Sequence, residues 1–215
     1  VMVVNGNGRQ IDTLGRAETN REGRYRMQVE AAQRGVYPLI VWGRAGRQRL
    51  LTTEYVVADG DSGTLSLEFP LRSRRLPIRS TENAALQAYR NTMVQHRQNL
   101  VQRLQTAGYD ETPVMQSVRL TSSILWGLRD TYPGTYAADL AAVESLALLE
   151  DWKDSLVVAR AQQIEPSNPR FVEAVRIARR AEARLRGQEA ALELVDQLRA
   201  KAQSDSQQAA MQAII

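Results

Sequence analysis

The hydrophobic period changes near residue 80, and that change constrains the chain more than any single motif does. Before it, apolar and polar side chains alternate; after it, apolar residues recur at spacings of three and four. A strand turns alternate side chains to one face, whereas a helix brings every third or fourth to one stripe. The expectation is an α+β chain of two domains. An antiparallel β-sandwich over residues 1–70 is followed by an Arg/Pro linker over 71–80. An all-α helical-hairpin bundle or short solenoid of about six helices then covers 81–215.

In the first part, Tyr25, Met27 and Val29 alternate with Arg24, Arg26 and Gln28. Apolar runs follow over 36–42, 50–57 and 65–69. Asparagine- and glycine-rich turns separate them at 5–8, 20–23, 43–46 and 59–63. Those residue types tolerate the positive φ of tight hairpins, so short antiparallel strands are predicted. In the linker, Pro77 stops any strand, and Ser80 or Thr81 is placed to cap a helix.

Beyond Thr81 one stripe runs through Leu86, Tyr89, Met93, His96, Leu100 and Leu104, ending near Gly108. Thr112 and Pro113 suit the N-cap and first position of a second helix, lined by Val114, Val118, Leu125 and Leu128. Further helices are predicted over about 136–149, 152–164, 169–186 and 188–203. Glu150 and Asp151, Pro166 to Pro169 and Gly187 punctuate them.

The stretch 17–25, with Thr19, Gly23 and Tyr25, followed by Gly35, Tyr37 and Leu39, resembles a carboxypeptidase regulatory-like domain. The resemblance implies a transthyretin-like sandwich, no catalytic residues, and service as an add-on module of secreted or envelope proteins. The family's opening strand has no counterpart, so a strand upstream of Val1 is expected. A second segment, 148–168, resembles the latter half of a tetratricopeptide repeat, with Trp152, Leu156, Ala161 and Pro166 near its characteristic positions. It is one residue short and carries Ser155 where alanine is usual, and no second copy follows at the repeat's period. This repeat-like hairpin, near 136–168, implies protein binding.

Composition excludes several classes. At 43% apolar and 24% charged, the 215 residues are not a disordered segment, and no apolar run approaches the length of a membrane-spanning helix. With no cysteine and one histidine, there is no thiolate chemistry and no multi-histidine metal site within one chain. Residues 1–79 hold thirteen arginines against eight acids, so the basic charge lies in the first third.

Candidate chemistry is sparse. His96 lies in an apolar stripe and reads as a packed, hydrogen-bonded histidine rather than a general base. The 59–63 segment reads as a turn rather than a calcium loop, since further oxygen ligands are missing. Glu150, Asp151 and Asp154 around Trp152 read as first-turn helix acids rather than a glycosidase pair. No catalytic, cofactor or metal residue is therefore assigned. The candidate interaction surface is arginine-rich: Arg44, Arg47 and Arg49 at a hairpin, Arg72, Arg74, Arg75 and Arg79 in the linker, and Arg176, Arg180 and Arg184 on one helical face. On that helix Phe171, Val175, Ala178, Ala181 and Leu185 are expected on the opposite, buried side. Each basic side chain close to an anionic membrane surface contributes about 1 kcal/mol. Aromatics are not interleaved with these arginines, so no nucleic acid is expected.

The resulting expectation is a non-catalytic accessory or scaffold subunit in an extracytoplasmic, membrane-associated complex, of respiratory, photosynthetic or secretion type. Its partners are other protein subunits and anionic lipid headgroups; it lies on the periplasmic or extracellular side and carries no cofactor. A glycan- or peptide-binding envelope module is the alternative. It requires Trp42 and the front tyrosines to share an exposed face, and their burial in the core counts against it.

Overall fold

A computed structural model describes residues 1–6, 11–43, 49–58, 60–66, 78–106, 111–202, 208–209 and 211. Four strands, β1 (Met2–Gly6), β2 (Ile11–Arg16), β3 (Gly35–Trp42) and β4 (Arg49–Val57), precede six helices. The helices are α1 (Thr81–Thr106), α2 (Thr112–Thr131), α3 (Tyr136–Ala147), α4 (Asp154–Ala161), α5 (Phe171–Arg186) and α6 (Gln188–Arg199). The architecture is α+β, as the change of period predicts. The chain divides into two compact units, Val1–Leu86 and Gln87–Ile215, with the boundary inside α1.

In the first unit the described strands form one antiparallel sheet in the order β2-β1-β3-β4. Its register shifts between Val3 and Val4, where β2 skips Leu14. Val3, Leu39, Val41, Leu51, Leu65 and Ile78 form the buried cluster. The alternating segment 24–30 is not a ladder strand. It is irregular, with Tyr25, Met27 and Val29 half-buried against that cluster and the residues between them exposed. Its backbone comes so near β2 that a Cβ on Gly15 would lie 2.6 Å from the Gln28 carbonyl oxygen. Only glycine permits that approach. The alternation therefore marks a covered face, and Glu30 reaches β2 through a single backbone bond to Leu14.

The end of the unit closes an open edge. β4 lies at one side of the sheet, where strand peptide groups have no neighbour. Asn83 supplies one: its Nδ2 donates to the Glu54 carbonyl at 2.9 Å, and its Oδ1 accepts from the Val56 amide at 3.2 Å. Asn83 is held by the start of α1, where the Ser80 hydroxyl accepts from the Asn83 amide at 3.0 Å. Ser80 is thus the cap expected from the sequence. Ile78 and Arg79, the described end of the 71–80 segment before Ser80, belong to this unit. Ile78 is buried in its cluster and Arg79 forms a backbone bridge with Thr64.

The second unit is helical throughout its described residues. α2 packs on α3, α4 on α5 and α5 on α6, with α3 also meeting α5. Alanines at 137, 138, 141 and 142 of α3 and at 174, 178 and 181 of α5 are buried, and such small side chains allow close helix approach. Phe171, Leu146, Leu149, Val157, Val175 and Leu198 fill the core between them. Gly187, at φ +91°, lets the chain turn directly from α5 into α6. The stripe on α1 is buried at His96 but not along its whole length, since Leu104 is 60% exposed. Likewise Leu185, expected to be buried on α5, is exposed, and Glu182 is buried in its place.

Candidate interaction surfaces

The arginine face of α5 and the acidic cluster before α4 meet each other. Arg180 makes a two-pronged contact with Glu150, with Nη2 donating to Oε2 at 2.8 Å. Arg184 does the same to Asp154, at 2.8 and 2.9 Å, and also reaches Asp151 at 2.9 Å. These hydrogen bonds hold the carboxyls of Glu150 and Asp154 below their usual range and raise both guanidinium groups. An ionised, arginine-bound carboxylate is a poor general acid, and the network clamps α5 to the turn before α4. Asp151 adopts positive φ there, with its amide donating to Asp154 Oδ1.

Of the other predicted arginines, Arg176 is exposed and forms no ion pair with the described residues. Arg79 is exposed. Arg49 lies on β4, paired in register with Trp42. Arg44, Arg47, Arg72, Arg74 and Arg75 lie outside the described residues, as does Asp59 of the turn at 59–63. Among the described residues no three histidine, aspartate or glutamate side chains gather as metal ligands.

His96 is 8% exposed, with Nδ1 at 3.0 Å from the Thr121 hydroxyl. The same hydroxyl lies 3.0 Å from the Ser117 carbonyl, within donating distance. Burial lowers the pKa of His96.

A third cluster has no counterpart in the arginine pattern read from the sequence. Arg129 and Arg160 both lie over the Trp126 ring, 4.4 and 5.0 Å from its centre. Arg160 is 8% exposed, donates to the Ser122 hydroxyl at 2.8 Å, and has no carboxylate partner among the described residues. Ser122 passes the chain on to the Ser145 carbonyl, linking α4 to α2 and α3. The spacing of Trp126 and Arg129, three residues apart on a helix, is a legible sign of such stacking. The contribution of Arg160 from α4 is not.

Apolar surface is concentrated elsewhere. Val94, Val101 and Leu104 on α1 and Met115, Leu120 and Ile124 on α2 are exposed, by 38–64%. In the first unit, Trp42 is 40% exposed, and its Nε1 donates to Met2 Sδ. Tyr25, Tyr37 and Tyr55 instead pack against the sheet cluster. Among the described residues no helix is long and apolar enough to cross a membrane. Comparison with protein-family profiles, characterised proteins and solved structures finds no match to this chain.

Proposed function

We propose that the chain is a non-catalytic accessory or scaffold subunit that holds other proteins within a membrane-associated assembly on the extracytoplasmic side. The observation that carries this reading is the set of large apolar side chains left in water on α1 and α2. The same unit buries most of its apolar residues on α3, α5 and α6, Leu185 excepted. Several large apolar side chains left exposed on two helices are the feature expected of a contact surface. The α3–α4 hairpin, with α5 stacked beyond it, is compatible with a tetratricopeptide-like, protein-binding array. The first unit's likeness in sequence to carboxypeptidase regulatory-like domains supplies the extracytoplasmic placement.

The chemistry of the titratable groups supports a non-catalytic role. The acids near Trp152 are held ionised by arginines, and burial favours the neutral form of His96. A glycan- or peptide-binding module is the second reading, favoured by exposed Trp42 alone. Tyr25, Tyr37 and Tyr55 are half-buried against the sheet cluster, which counts against a shared aromatic face.

The test is gentle extraction of the native protein from membranes and identification of what remains bound. A stoichiometric protein partner, lost when Leu120 and Ile124 are replaced by lysine, is expected. Recovery as a lone soluble monomer would overturn the proposal.

A further inference from the structure

Glu182, on α5, is 1% exposed, and among the described residues its Oε2 has no partner. Its one countercharge is the guanidinium of Arg186, a turn further along, whose side chain is 65% exposed. Glu182 borders a half-open depression of about 70 Å³ between α5 and α6, which Gln162 also lines. Oε1 meets Arg186, whereas the buried Oε2 keeps its desolvation cost, so the site has unused acceptor capacity.

The remaining lining suits one kind of occupant. Glu193 adds a second carboxylate, Gln162 and Gln197 bring amide oxygens, and Ala190 and Leu194 are apolar. Two acids against one arginine exclude an anion. The small volume suits a compact head group. We propose that this cavity is a socket for a primary alkylammonium group, as carried by a lysine side chain of a protein partner. Three N–H donors would meet Glu182, Glu193 and an amide oxygen, while the first methylenes lie along Ala190 and Leu194. Arg186 is the resident plug. Its side chain is largely exposed and swings into water as the incoming ammonium takes over the countercharge of Glu182. The partner rests on the interaction reading above, but ammonium binding does not and is measured on this chain alone.

The probe is n-butylammonium chloride, titrated into the full chain and followed by backbone amide shifts in NMR. Sodium and tetramethylammonium chlorides at equal ionic strength are the controls. Saturable shifts confined to α5, α6 and Gln162 are expected with n-butylammonium and not with tetramethylammonium, which has no N–H to donate. Arg186→Gln should tighten binding about two- to fivefold by removing the plug. Glu182→Gln should abolish it. Should that variant unfold, Glu193→Gln, at an exposed position, should still weaken binding severalfold. Equal shifts with tetramethylammonium, or binding unchanged in Glu193→Gln, would overturn the socket. A native complex without a lysine at this cavity would remove the assigned partner and leave the scaffold reading intact.

Discussion

The amide of Asn83 stands where the peptide group of a further strand would stand beside β4, donating to Glu54 and accepting from Val56. Replacing it by leucine leaves both edge groups without that partner and should cost about 1–3 kcal/mol, read as a lower urea midpoint of the first unit. Asn83→Asp retains only the acceptor half and should fall between. His96 gives a second prediction at this scale. Its folded pKa lies below the ordinary 6.5, because burial outweighs the opposing field of Glu144. The unfolded chain therefore binds the proton first. The stability that depends on neutral His96 is present above about pH 6.5 and declines below it, levelling off under the folded pKa. Urea midpoints of the second unit at about pH 7.5 and about pH 5 should differ by less in His96→Gln than in the native chain.

At the scale of elements, the pairing of α5 with the turn before α4 decides what the charged residues do. Arg180 and Arg184 stand one turn apart, and Glu150, Asp151 and Asp154 meet them from a separate segment. Lowered carboxylate pKa values act in the same direction as the lowered histidine value, over a more acid range. Stability from these pairs is full above about pH 4.5 and is lost as pH falls through the folded values of Glu150 and Asp154. Arg184→Gln should cost about 1 kcal/mol, because the network is partly exposed, and should flatten the acid limb of the stability curve. The charge-swapped pair Arg184→Asp with Asp154→Arg should recover part of that loss. A double-mutant cycle in thermal unfolding measures it.

For the molecule as a whole, the two units place different demands on their surfaces. The second unit buries alanine-rich faces between successive helices and still leaves Leu120 and Ile124 of α2 in water. Lysine at both positions removes no core contact. It should leave helical content and melting temperature nearly unchanged, within about 0.5 kcal/mol. The same change should abolish any apolar-dye binding or concentration-dependent association seen by ultracentrifugation. A large fall in melting temperature would show that these side chains belong to the core and not to a docking surface.

The sequence by itself determined the class of the fold and most element limits, because backbone hydrogen bonding imposes a local period on burial. The switch to helix near residue 80, the Ser80 cap and the break at Gly187 are all local features, and all are found. Tertiary structure alone decided what each exposed-looking charge does. An arginine stripe reads the same whether its partners are solvent, lipid or Glu150 and Asp154 from thirty residues earlier, since ion pairing depends on distance in space. The same limit hid three other arrangements. These are the burial of Glu182, the stacking of Arg160 on Trp126, and the course of residues 24–30, whose alternation predicts a strand but covers β2 without a ladder. Periodicity records which side of a segment is dry. It does not record what lies against that side.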